Sequence, residues 1–315
     1  MSTDALILVL IAACAHAAWN IIAHGSSRSG VPFLFWGAIV STLLWLPVVP
    51  FTGGLGDGGW RGLLLGASVS ALLHVGYMVL LQRGYAAGEL STVYATARGT
   101  GPTLTVLVAV LFLGEQPTPL ALLGVGVVIV GVIAMGVIGR PPRPITLPHS
   151  QPASIGVPGS APGRNNSLWR LLSLGRVDPA LLFGLATGVA IAAYTVWDTY
   201  ALREWQVSPV ALMVGCTAFE VPLLAALAWR RRSELLPTIR EQWRRLLAFG
   251  ALSPLSYILV LVAVTIAPVS LVAPMREVSV VLVSLFGAFV GREHRPVQRV
   301  IASAAVVGGA FLLSM

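Results

Sequence analysis

Tyr94-Ala-Thr-Ala-Arg98-Gly-Thr-Gly-Pro102 runs into an apolar stretch ending at Leu113-Gly114-Glu115, and Val272-Ala-Pro-Met-Arg276-Glu-Val-Ser279 runs into another ending at Gly291-Arg292-Glu293. In each copy an Arg lies inside an apolar segment, 17 residues before a Glu at its end. An Arg within a membrane span costs ~2.5–3.5 kcal/mol even on a lenient insertion scale. Two at matching positions point to a duplicated unit with a polar site in its middle, an organisation shared by many transporters.

Working outward, the composition sets the medium. Of 315 residues, 56% are hydrophobic and only 10% charged, against ~25% charged in a soluble domain. Too little polar surface exists to cover a water-soluble fold, so the chain reads as a polytopic membrane protein. The net charge is +8 and every basic residue is Arg, mostly in loops between apolar runs. That pattern suits anionic lipid of the bilayer and not nucleic acid. Cys14 and Cys216 both fall inside apolar runs and read as small buried residues. There is no CxxC, no HExxH and no Gly-rich phosphate loop, so no metal and no cofactor is expected. Ile11-Ala-Ala-Cys14 and Ala15-His-Ala17 resemble leader-cleavage boxes. Met1 to Asp4 carry no basic n-region, however, and the segment has a counterpart in the second half, so it reads as a retained first span.

A span needs about 20 mostly apolar residues. Ten runs qualify: 5–23, 32–51, 61–82, 90–113, 118–139, 180–202, 209–229, 244–266, 270–291 and 297–314. The expected architecture is therefore an all-α membrane protein with five helices in 1–139, a Pro/Gly/Ser-rich linker over 140–178, and five helices in 179–315. The linker is too polar and too proline-rich to pack, although Ser167 to Leu174 is compatible with a short interfacial helix. Ala17-Ala-Trp19-Asn20 aligns with Ala192-Ala-Tyr194-Thr195, and Tyr77 with Tyr257. Five spans per half is odd, so the halves insert with opposite topology, as inverted repeats. With both termini outside, nearly all loop arginines fall on the inner side, and only Arg61 and Arg203 lie opposite. The positive-inside rule favours that orientation.

Two five-helix repeats, each ending in a turn such as Phe112-Leu-Gly-Glu115, resemble EamA-type members of the drug/metabolite transporter superfamily. His16-Ala-Ala-Trp19-Asn20, Tyr94-x-x-x-Arg98-Gly-x-x-Pro102 and Met275-Arg-Glu-Val-Ser279 are the closest local matches. The resemblance covers nearly all the chain except 140–178. It implies a carrier of small metabolites in a bacterial inner membrane, often an exporter, with a central cavity between the repeats. It also implies cytoplasmic termini, opposite to the charge count. The second turn, Val290-Gly-Arg-Glu293, departs from the pattern by an inserted Arg.

Arg98 and Arg276 are the first site candidates. One reading has them face a cavity and bind an anionic group; the other makes them structural ion pairs or snorkelling residues. Gly99, Gly101 and Pro102 can interrupt the helix after Arg98 and aim a half-helix N-terminus at an anion, or merely kink it. Asp198, Glu277 and Glu220 are the acidic counterparts, able to exchange a proton or to neutralise an Arg. Asp198 lies one turn after Tyr194, on the same face. His16 and Asn20 are four apart with Trp19 between, on one face. His16 reads either as a proton relay or as a hydrogen-bonded structural residue. His74 joins it as a coupling candidate, and Tyr77, Tyr94, Tyr194 and Tyr257 join Trp19 and Asn20 as substrate-binding candidates. Trp36, Trp45, Trp60 and Trp229 lie near span ends and read as interfacial anchors. Glu115 and Glu293 read as turn residues. Gly124, Gly131, Gly136, Gly308 and Gly309 permit close helix approach, within a monomer or across a homodimer face.

Two function classes follow. The first is a secondary transporter of a small polar, anionic or zwitterionic metabolite. The second is a membrane-embedded enzyme acting on a lipid or isoprenoid-linked group, for which the chain offers no metal spacing and no nucleophile–base pair. The expectation is a transporter and not an enzyme.

Overall fold

In hydrocarbon an apolar segment must satisfy its own backbone groups, so each apolar run folds as a helix. The computed structural model describes residues 3–112, 118–138, 178–266, 278–291 and 295–312. In chain order the helices are α1 (Thr3–Gly25), α2 (Val31–Trp45), α3 (Gly59–Ala87), α4 (Leu90–Phe112), α5 (Pro119–Ile138), α6 (Pro179–Glu204), α7 (Pro209–Ala228), α8 (Leu235–Ile266), α9 (Val278–Phe289) and α10 (Pro296–Leu312). A 3₁₀ turn extends α2 over Leu46–Phe51 and another, Trp229–Glu234, joins α7 to α8. Prolines occupy the first turn of α2, α6 and α7, where the missing N–H leaves nothing unsatisfied. Asp178 caps α6 by accepting the Ala180 amide at 2.9 Å. Among the described residues no strand forms; Gly56 and Val207 make an isolated bridge.

Leu6–Gly25, Val31–Phe51, Gly59–Ala87, Pro179–Glu204 and Pro209–Ala263 are each long and apolar enough to cross a membrane, and Leu122–Met135, Val278–Phe289 and Pro296–Leu312 are shorter apolar helices. The Pro209–Ala263 stretch is a hairpin. The helix breaks at Trp229–Glu234, where Arg231 leaves helical geometry, and the chain doubles back so that Val210, Met213 and Val214 pack with Ile258. A two-pronged Arg231–Glu234 ion pair braces that turn. Large apolar side chains point outward, among them Leu72, Val130, Val196 and Ile301, each more than 60% exposed. Lipid accepts such a surface and water does not. The chain is a multi-pass membrane protein.

Packing follows one rule throughout. α1 lies on α8 as α6 lies on α3, and α2 lies on α8 as α7 lies on α3. α4 contacts α6 as α9 contacts α1, while α2–α7, α4–α9 and α5–α10 pair directly. α1, α2, α3, α6, α7 and α8 thus form one interdigitated group, and α4, α5, α9 and α10 another beside it.

Several details depart from the sequence reading. α3 continues from 82 to Ala87, and α8 starts at Leu235 instead of 244. The added turns of α8 carry Arg240 and Glu241, so they are amphipathic and do not register as an apolar run. Trp36 is half-buried and donates its indole N–H to the Leu235 carbonyl at 2.8 Å, tying α2 to α8. Trp60 and Trp229 are exposed near helix ends. The interruption expected at Gly99, Gly101 and Pro102 is absent from the backbone, because α4 is helical from Leu90 to Phe112. Gly99 serves contact instead: a Cβ there would lie 3.0 Å from Val128 and Val132 and 3.1 Å from Val306. On α5 and α10, Gly131 meets Val306 and Gly309 meets Val128, each at 2.7 Å for an added Cβ. These glycines serve packing inside the monomer. Arg276, Glu277, Glu115, Glu293 and the Ser167–Leu174 segment lie outside the described residues, and so does the linker up to 177; Gly136 lies in the last turns of α5.

Candidate functional site

A cavity of about 50 Å³ lies where α1, α2, α3, α6, α7 and α8 meet. His16, Trp19, His74, Tyr77, Tyr194, Glu220, Ser256 and Tyr257 are among its polar and aromatic lining residues. The helix pairing explains this gathering: Trp19 and Tyr194 align between the halves, as do Tyr77 and Tyr257, and the α1–α8 and α6–α3 contacts bring both pairs inward. Tyr194 is the hub. Its ring centroid is 4.1 Å from His74, 5.2 Å from Tyr77 and 6.0 Å from Tyr257.

One wall is acidic. Tyr257 Oη donates to Asp198 Oδ2 at 3.0 Å, and His74 Nε2 lies 3.9 Å from the same oxygen. Asp198 has no exposed surface, and its Oδ1 accepts no hydrogen bond among the described residues. His74 Nδ1 faces the Ser70 carbonyl at 3.0 Å and the Ser70 hydroxyl at 3.2 Å. A carbonyl only accepts, so Nδ1 carries the proton and Nε2 is the nitrogen left to exchange one with Asp198. The chain of contacts goes on: Ser70 Oγ donates to Cys216 Sγ at 3.5 Å, and Cys216 donates to Glu220 Oε1 at 3.6 Å. The two carboxylates are thereby linked through three side chains.

Another wall is basic. His16 Nε2 contacts the Arg98 guanidinium, and His16 Nδ1 lies 3.2 Å from Ser256 Oγ. Arg is donor-only, so His16 Nε2 accepts and the proton sits on Nδ1, facing Ser256. Ser256 Oγ also accepts from Trp19 Nε1 at 3.1 Å and donates to the Ser253 carbonyl at 2.8 Å. Arg98 is 3% exposed and lies over the Tyr94 ring, 5.6 Å from its centroid. Tyr94 Oη pairs with Ser279 Oγ at 2.8 Å. Asn20 is fully buried, donates to the His16 carbonyl at 2.7 Å and accepts from Tyr85 at 2.6 Å.

The sequence candidates thus divide. His16, Trp19, His74, Tyr77, Tyr194, Glu220 and Tyr257 line the cavity. Asp198 and Arg98 stand one layer behind, touching lining residues. Asn20 and Tyr94 hold His16 and Arg98 in place from further out. Sequence reasoning missed Ser70 and Ser256, since serine in an apolar helix gives no pattern. It also took Arg299 for a loop charge. That residue is fully buried, paired with Glu89 at 2.6 Å and donating to Ser91 and Thr92 at 3.0 and 2.5 Å. It fastens α10 to the start of α4. The signal available was its place one turn into a helix opened by Pro296.

Among the described residues no group of three His, Cys, Asp or Glu side chains could hold a metal ion. What the arrangement offers is a polar chamber that can bind a small solute and exchange protons. A family model described as the EamA-like transporter family matches residues 3–137 and 178–315. The chain belongs to the EamA-like transporter family. Transporters of this kind are not enzymes, so the family places the chain among membrane carriers of small molecules. A solved crystal structure is similar at 18% identity and a TM-score of 0.55, with 99% of this chain and 96% of that chain covered. At that identity the likeness is one of fold alone. No curated protein matches the chain.

Proposed function

We propose that this EamA-family chain is a secondary transporter of a small polar metabolite, zwitterionic or anionic, in a bacterial inner membrane. It works by alternating access between two inverted five-helix repeats, 1–139 and 179–315, ten crossings in all. Export is the direction the family resemblance implies. The observation that carries the reading is the cavity between the halves, with histidines held by partners of opposite charge on its two walls. The exchange symmetry of helix contacts, α1–α8 against α6–α3, supports inverted repeats. Rocking one repeat on the other would open the cavity to each side in turn.

In this reading His74 and Asp198 exchange the coupling proton, with Glu220 and Glu277 as further acidic groups. Arg98 and Arg276 supply positive charge for a substrate anion, Arg98 acting through His16. The test begins with a thermal-shift screen of small metabolites on detergent-purified protein, since a ligand of the folded state raises its stability. A hit is then followed as flux in proteoliposomes. Arg98→Ala and Arg276→Ala are expected to abolish flux with folded protein still in the membrane. Wild-type flux from either variant would remove that residue from the mechanism.

A further inference from the structure

Of the carboxyl and guanidinium side chains, it is a carboxyl that meets the cavity. Glu220 is a lining residue and 8% exposed, whereas Arg98 lies behind His16 and is not part of the lining. One Glu220 oxygen accepts from the Cys216 thiol at 3.6 Å. A carboxylate buried to this degree requires a proton or a cation. Asp198, fully buried, adds a second carboxyl group behind Tyr257 and His74. Three tyrosine rings and the His74 ring crowd the same chamber, with centroids 4.1–6.0 Å from Tyr194. Aromatic faces are electronegative and attract cations, the more so once desolvated.

We infer that the cavity holds an ammonium subsite, in which Glu220 pairs with a substituted ammonium group packed against the faces of Tyr77, Tyr194 and Tyr257. The cavity volume of about 50 Å³ is far below the ~300–1,000 Å³ that encloses a drug-sized ligand. It takes a head group of a few heavy atoms in this state, and anything larger requires helix movement. The inference deepens the transporter reading by giving the substrate a cationic end opposite Arg98. A zwitterion satisfies both walls; a simple carboxylate satisfies only one.

The probe is tetramethylammonium chloride, titrated into the full-length protein in detergent at constant ionic strength against sodium chloride. Tyrosine and tryptophan fluorescence and thermal stability are the readouts. Saturable tetramethylammonium binding is expected, with no response to sodium. Glu220→Gln should weaken it at least about tenfold, and Tyr194→Leu by a similar factor, whereas Tyr194→Phe keeps the ring face and stays within about threefold. The Tyr194 pair keeps the test decisive if Glu220→Gln does not fold. No saturable binding to the wild type, unchanged binding by Glu220→Gln, or equal binding by Tyr194→Leu and Tyr194→Phe would overturn the subsite. Proteoliposome flux separates the two readings. Binding in detergent with no flux keeps the subsite and removes transport; flux of a metabolite that tetramethylammonium leaves uninhibited keeps transport and removes the subsite.

Discussion

His16 and His74 line one cavity and are buried alike, at 7% and 6% exposure. Each has Nδ1 3.2 Å from a serine hydroxyl, Ser256 for one and Ser70 for the other. They differ at Nε2. His16 meets the Arg98 guanidinium, which can only donate; His74 meets the Asp198 carboxylate, which in its ionised form can only accept. The same side chain is thereby given two jobs. A proton arriving on His16 Nε2 would face a cation and displace Arg98, so His16 acts as a fixed acceptor. A proton arriving on His74 Nε2 finds a carboxylate 3.9 Å away, so His74 can accept it and pass it on.

The strongest way to break this contrast is to neutralise Asp198. Asp198→Asn keeps the size and leaves a group that can still accept from Tyr257. Flux of the ligand found by thermal shift is expected to fall to the level of empty liposomes while the protein remains folded. Wild-type flux, with its pH dependence intact, would show that the two histidines are equivalent and that coupling lies elsewhere.

Next in size is the paired substitution of the histidines. His74→Gln should lower flux about tenfold or more and flatten its pH profile, because the imidazole assigned to proton exchange with Asp198 is gone. His16→Gln should change flux by only a few-fold and keep the profile, since a glutamine can also accept from Arg98. Proteoliposome flux between pH 5.5 and pH 8 reads both. A profile flattened equally by His16→Gln would end the comparison.

How far the sequence could foresee this follows from pattern strength. Long apolar runs dictate helices through backbone satisfaction alone, so α1, α2, α6 and α7 lie close to where hydropathy puts them. The start of α8 escapes because its first turns are amphipathic. The aligned pairs Trp19/Tyr194 and Tyr77/Tyr257 named much of the cavity lining, since a duplicated unit repeats what it needs. The polar partners were illegible. Ser70, Ser256 and Cys216 are small residues whose meaning depends on which helix lies opposite, and Arg299 was hidden by sitting beside a loop. Glu220 was visible as a buried acid, but only the packing of α3, α6 and α8 around it shows the tyrosines in its company.

Stability separates the two walls further. Ser256→Ala leaves the Trp19 indole N–H and the His16 Nδ1–H without their acceptor. An average hydrogen bond between membrane helices contributes ~0.6 kcal/mol, and an orphaned buried donor costs ~1–3 kcal/mol. With two donors orphaned, a loss of about 2 kcal/mol is expected, read as a lower unfolding temperature in detergent. No change in unfolding temperature would mean that both rings find other acceptors, and the fixed state assigned to His16 would fail with it.

Ser70→Ala is the matching change on the other wall and should be the mildest. His74 keeps its main acceptor, the Ser70 backbone carbonyl at 3.0 Å, whatever side chain residue 70 carries. The losses are the hydroxyl's 3.2 Å contact to His74 Nδ1, secondary to that carbonyl, and its weak sulfur contact to Cys216 at 3.5 Å, so about 0.5 kcal/mol is expected. Flux and its pH profile should stay within about twofold of wild type if protons pass between His74 and Asp198. Ser70 is also the first link from His74 toward Cys216 and Glu220. A variant as stable as wild type that has nonetheless lost its pH dependence would therefore show that the proton leaves His74 through Nδ1, toward Glu220. The cavity would then be crossed by a hydrogen-bonded side-chain chain, with Asp198 serving to hold His74 in place.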